Sequence, residues 1–256
     1  LSPETINPAS TFIIDGIAVG LAGSGPQVPL NKTVRDSAHT LGSGCGTDAR
    51  VWVTGERLHA SSAAMVNGFQ IHNQEFDCVH MPAVVHPMAV VLSSLVTAAE
   101  QRGGVDGKQL ITAVVIAVDV AALIGISGRA PMRFFRPAMC GALGAVAGIA
   151  HLHGADEMTL RRALGLTYSH LSGTMQAHVE GSPTLALQIA FNARAAITAW
   201  TLANHGFPAP ADWLEGQFGY FQLIEGAFDT RPSLAALAAG HAQIEQVSHK
   251  VFPTGG

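Results

Sequence analysis

Charge is what this sequence has least of. Asp, Glu, Lys and Arg together supply 12% of its 256 residues, about half the rough 25% of an average soluble protein. Only three lysines occur, at positions 32, 108 and 250. This scarcity excludes a disordered chain, which combines low hydrophobicity with high charge, and a basic nucleic-acid binder, which needs clustered Lys and Arg to neutralise phosphates. With 14 Lys plus Arg against 18 Asp plus Glu, the net charge of -4 selects no charged partner. Cysteine is equally sparse. Cys45, Cys78 and Cys140 are odd in number and show no CxxC spacing, so neither a disulfide framework nor a zinc ribbon is expected, and a reducing cytoplasm is the expected location. The first residues carry neither a basic n-region nor a long apolar h-region, and no secretory signal is read there. The sequence also shows no internal repeat, linker or low-complexity tract.

Glycine and apolar residues fill the space that charge leaves. Gly occupies 28 positions and hydrophobic residues 48% of the chain, against a usual glycine share of ~7%. Helical periodicity runs through residues 9–21, 60–71, 88–99, 110–126, 138–152, 160–171 and 187–203, which predicts an all-α fold. Small residues recur on several faces of 141–148, as in helices whose axes approach closely and are buried on most sides. Asp106 and Asp156 stand where N-caps stand, Gly154 and Gly206 where C-caps stand. The one strand-like piece is 49–54. Residues 110–126 raise the question of a membrane span, but Asp119 near the middle costs ~2.5–3.5 kcal/mol on insertion scales and no aromatic belt flanks the run. A buried helix of a soluble protein is the expectation.

Histidines and carboxylates concentrate between residues 67 and 87, where His72, Glu75, Asp77, His80 and His86 fall together and no Lys or Arg occurs from 58 to 101. Carboxylates and imidazoles without a local cation tend to shifted proton affinities, which suits general acid/base work. Plainer readings stand beside this one. His72 and Glu75, three apart, form a possible helix-surface pair; His86-Pro87 marks a possible helix start; a metal site from the five is conceivable but matches no HExxH-type signature. Arg129, Arg133 and Arg136 precede the glycine-rich helix with Pro137 as its expected first residue. They read either as a carboxylate or phosphate site at a helix N-terminus or as a solvated basic loop. Lys250 lies in a turn-rich terminus, where a lysine is usually exposed.

These pieces resemble the MmgE/PrpD family, also called the 2-methylcitrate dehydratase family, in order and setting. The resemblance is carried by residues 11–24; by Asn67-Gly68 with His72, Glu75-Phe76-Asp77 and His86-Pro87; by 135–144; by Leu187-Gln188 through Gly206-Phe207 with Leu214-Glu215-Gly216; and by Lys250-Val251-Phe252-Pro253. It implies a large all-helical domain over 1–256, a homodimer, and an α/β lid following the lysine motif. By that comparison the chain starts after the family's first helix and ends where the lid begins. The family comprises 2-methylcitrate dehydratase, cis-aconitate decarboxylase and iminodisuccinate epimerase, all acting without a metal beside carboxylates of small acids.

Carried over by motif, Glu75, Asp77, His86 and Lys250 are the expected catalytic residues, with His86 or Asp77 moving the proton. Arg136, Arg133 and His80 are the expected substrate-binding residues. No metal, cofactor, nucleic acid or membrane is expected, and the partner is a small di- or tricarboxylic acid. Four positions and one insertion depart from the family pattern. Glu75 stands where Asp is frequent, Cys78 where a further Asp is expected, Arg136 where a histidine precedes the proline and Leu185 where a lysine opens the long helix, and one extra residue precedes His86. These changes point away from 2-methylcitrate itself. The expected activity is a dehydratase-type lyase; an epimerase, a decarboxylase and a non-catalytic helical dimerisation module are the alternatives.

Overall fold

Apolar and small residues at helical spacing dictate most of the architecture, seen in a computed structural model that describes residues 1–42 and 46–254. Cys45 and the two final glycines of the terminal motif lie outside the described residues. In chain order the helices are α1 (Pro3–Gly23), α2 (Asn31–Leu41), α3 (Ala60–His72), α4 (Pro87–Gln101), α5 (Gly107–Ser127), α6 (Arg136–Leu152), α7 (Glu157–His170), α8 (Gln176–Val179), α9 (Thr184–Asn204) and α10 (Arg231–Ala239). Two short antiparallel ribbons complete the fold: β1 (Ala49–Arg50) pairs with β2 (Arg57–Leu58), and β3 (Val79–His80) with β4 (Val247–Ser248). The fold is all-α in class.

Helix α6 is the central element, buried along its whole length except at His151 and packed against α4, α5, α7 and α9. Its glycines permit this crowding. A Cβ at Gly148 would lie 2.7 Å from the Ala113 carbonyl of α5, and one at Gly141 would lie 2.8 Å from Val90 Cβ of α4, both closer than a side chain tolerates. A helix with no exposed face has no use for charge, which explains the sparse composition.

The capping chemistry holds at its expected places. Asp106 accepts the Gln109 N–H at 2.8 Å while Gln109 reaches back to the Asp106 N–H, a capping box. Asp156 accepts the Thr159 N–H at 2.8 Å. Gly154 and Gly206 adopt φ of 62° and 84° after α6 and α9. Pro87 opens α4, whereas α6 starts one residue before Pro137, at Arg136.

The expected 49–54 strand is shortened to two residues. Val53 at φ 69° and Gly55 at φ 70° reverse the chain, and the Val51 N–H bonds the Glu56 carbonyl. Helix α2 escaped the apolar reading because only Asn31, Val34 and Ala38 on it are buried. By length and composition α1 and α5 could each cross a membrane. In this fold α5 packs against α4, α6 and α10, and Asp119 near its middle accepts the Gln243 N–H at 2.6 Å.

Candidate active site

Register, rather than proximity in sequence, assembles the site. In the β3–β4 ribbon Val79 pairs with Ser248 and His80 with Val247. Continuing that antiparallel register two residues outward sets Lys250 beside Asp77. The Lys250 ammonium indeed lies 3.7 Å from Asp77 Oδ1, with both side chains almost wholly buried. Lys250 also donates to the carbonyls of Glu75 at 3.1 Å and Thr254 at 2.6 Å. Glu75 helps by adopting φ 54°, a left-handed conformation that costs a non-glycine residue roughly 1–2 kcal/mol. Its carbonyl thereby receives both Lys250 and the Thr254 N–H at 3.2 Å.

Asp77 is the electrostatic centre. Both of its carboxylate oxygens lie within 3.0 Å of His72 Nδ1, the last residue of α3. Because an ionised carboxylate only accepts, Nδ1 carries the hydrogen. His72 Nε2 is buried and has no hydrogen-bond partner among the described residues. Burial alone would raise the Asp77 pKa, but His72, His86 and Lys250 outweigh it and hold the carboxyl at about 2.

That shift has a measurable consequence for stability. A folded pKa below the ordinary 3.8 means the contribution is present above pH 3.8 and lost as pH falls through about 2, amounting to about 2 kcal/mol. Urea unfolding of wild type and Asp77→Asn between pH 6 and pH 2 should show their stability difference shrinking by that amount; a constant difference would remove Asp77 from the acid response.

His86 precedes Pro87 at the head of α4, where its Nδ1 donates to the Cys78 carbonyl at 3.2 Å. Its ring centroid is 5.5 Å from that of His72. Burial lowers its pKa below 6.5, although the Asp77 carboxylate pulls the other way. His86 is therefore a neutral imidazole at neutral pH. The neighbouring Cys78 thiol is pushed well up by burial, so no second carboxylate-like charge replaces the aspartate expected there.

A cavity of about 340 Å³ opens over these groups, with His72, Glu75 and His86 among its lining and Phe135, Met175 and Leu185 completing it. A second, also about 340 Å³, shares His72, Glu75, His178 and Leu185 with the first. Backbone pairing builds the apolar side: the Phe135 N–H bonds the Gly173 carbonyl at 3.1 Å, and the Met175 N–H bonds the Arg133 carbonyl at 3.0 Å. Leu185 comes from the first turn of α9, one residue past its start.

Glu75, Asp77, His86 and Lys250 thus lie together, while Arg136, Arg133 and His80 do not face the cavity. Arg136 is turned away from the cavity into a bidentate pair with Glu225, Nε to Oε1 at 3.0 Å and Nη2 to Oε2 at 2.6 Å. Tyr220 donates to the same Glu225 at 3.2 Å, and Cys140 sits 3.3 Å behind the phenol. Arg133 is exposed and reaches the Leu223 carbonyl at 3.5 Å. Arg129 caps the carbonyl end of α5 through Ile126 at 2.7 Å. His80 is fully buried and lines neither cavity, and it accepts the Ala83 N–H at 3.2 Å, fixing the turn Met81–Ala83. Arg136 and Arg133 are held by the segment Phe221–Glu225, through the Glu225 carboxylate and the Leu223 carbonyl, and Arg129 by the end of α5, partners that no local pattern announces.

The possible helix-surface pair of His72 with Glu75 does not form. Glu75 lies beyond the end of α3 and donates its backbone N–H to the His72 carbonyl at 2.9 Å, so the two are no helix-surface pair. The imidazole instead pairs with Asp77, five residues on. His178, on α8, was not singled out by any motif. Among the described residues no group of three His, Cys, Asp or Glu side chains converges as metal ligands.

Comparison with known proteins places this geometry. The mouse cis-aconitate decarboxylase is 30% identical over 66% of this chain and 36% of its own length. Its human counterpart is 27% identical over 99% of this chain and 53% of its own. A cis-aconitate decarboxylase-like protein, oryM, of Aspergillus oryzae is 25% identical over 85% of this chain and 46% of its own. The chain spans at most about half the length of these curated relatives. The MmgE/PrpD N-terminal domain matches residues 1–233, and with its helical fold and its assembled acidic and lysine motifs the chain belongs to the MmgE/PrpD family.

Proposed function

We propose that this chain forms the helical side of the active site of a lyase acting on a small carboxylic acid, of the decarboxylase type that its relatives' names suggest. The observation that carries this reading is the buried His72–Asp77–Lys250 cluster with the His86 imidazole beside it on one cavity. Decarboxylation breaks a C–C bond, releases carbon dioxide and leaves an electron pair that must take up a proton at carbon. An imidazole oriented through its Nδ1 by a backbone carbonyl can make that transfer through its other nitrogen once Nε2 has taken up a proton from solvent, because the neutral ring carries its hydrogen on Nδ1. Asp77 and Lys250 hold the surrounding charge in place, so that the site needs little reorganisation as charge develops.

One observation favours a second reading. His86 is kept neutral by burial, which suits removal of a proton next to a carboxylate, the first step of a dehydration. The two readings part in heavy water. Incubating the full-length protein with a panel of di- and tricarboxylic acids that includes cis-aconitate and 2-methylcitrate, followed by NMR, should give carbon dioxide and one deuterium at carbon for a decarboxylase. A dehydratase gives an alkene and no carbon dioxide. Deuterium exchange with neither product would sink the lyase reading and leave an epimerase.

A further inference from the structure

The cavity over His86 has no fixed positive charge on its described walls. Its polar lining consists of His72, Glu75, His86, His178 and Thr254, and the rest is apolar. The adjoining cavity adds Asn73 and Ser182 but again neither lysine nor arginine. Lys250, the cation of the site, has a side chain 2% exposed and is engaged by two carbonyls and Asp77. Arg136 stands next to Pro137 of the lining but gives its guanidinium to Glu225.

What remains is a wall of Met132, Phe135, Met175 and Leu185. Phe135 and Leu185 are 4% and 8% exposed, and backbone hydrogen bonds between 133–135 and 173–175 fix the segments that carry the wall. A carboxylate laid against these side chains would lose its water and gain no partner, whereas an alkyl group there gains burial.

The geometry points to a substrate whose arm along this wall is uncharged: a carboxylic acid bearing a short apolar arm, in place of a tricarboxylic acid. The inference rests on the carboxylate-lyase reading above.

Titration calorimetry on the full-length protein tests it with two probes differing at one group. These are cis-aconitate and 2-ethylmaleate, in which a methyl replaces the terminal carboxylate. Wild type should bind 2-ethylmaleate at least about tenfold more tightly, the low end of the discrimination an apolar pocket makes for a one-group difference. Leu185→Lys should reverse the order; if that variant fails to fold, Met175→Lys at a half-buried wall position carries the same reversal. Tighter binding of cis-aconitate to wild type, or an unchanged ratio in the folded lysine variant, overturns the inference and leaves the lyase reading standing. Failure to bind either probe, together with no reaction in heavy water, overturns both.

Discussion

Truncating Arg136 to alanine is expected to lower the unfolding free energy by about 3–5 kcal/mol, the range for breaking a buried ion pair by removing one partner. The size follows from what is left behind. Glu225 is 4% exposed and accepts two guanidinium hydrogen bonds as well as the Tyr220 hydroxyl. Without Arg136 its carboxylate keeps one neutral donor and no countercharge. The double variant Arg136→Met/Glu225→Leu should lose much less than Arg136→Ala, because it removes both charges and fills the space. Urea denaturation of wild type and the two variants checks both statements. If Arg136→Ala instead kept wild-type stability and only raised KM, the guanidinium would have to reach substrate in the working enzyme.

His86→Ala should reduce kcat/KM by about 10²–10⁴-fold, the usual contribution of a positioned acid/base group, with thermal unfolding close to wild type. The pH profile gives a sharper signature. Burial lowers the His86 pKa below 6.5. If His86 is the base of a dehydration, activity persists below pH 6.5 and falls as pH drops through that lowered pKa. If its protonated ring is the acid of a decarboxylation, activity falls as pH rises through the same pKa. Either limb of wild-type kcat/KM should vanish in the residual activity of His86→Ala. A wild-type rate in the variant would transfer the proton chemistry to another imidazole lining this cavity, His72 or His178.

The fold was legible wherever local chemistry decides. The helices α3, α4, α5, α6 and α9 follow from apolar and small residues at helical spacing, and the caps at Asp106 and Asp156 from a side chain one turn from the N–H it accepts. Helix α2 was not legible because a helix with three buried residues gives almost no apolar signal. In the site, the motif residues Glu75, Asp77 and His86 stand within twelve positions of one another, and their density without a cation was visible in the chain itself.

Partnership is what only the tertiary structure decided. His72 could pair with Glu75 or Asp77 by sequence, and the end of α3 together with the left-handed Glu75 selects Asp77. Arg136 could serve a substrate or the core, and a carboxylate 89 residues away claims it. Lys250, an exposed loop lysine by its local setting and a site residue only by the family resemblance, reaches Asp77 because β4 pairs with β3. The physical reason is common to all three. Helical propensity and capping act over one turn of chain, whereas a buried charge is satisfied by whichever opposite charge or carbonyl packing brings within about 3 Å. Composition therefore determined that this protein is helical and that its few charges matter; packing decided which of them face the cavity and which hold the scaffold together.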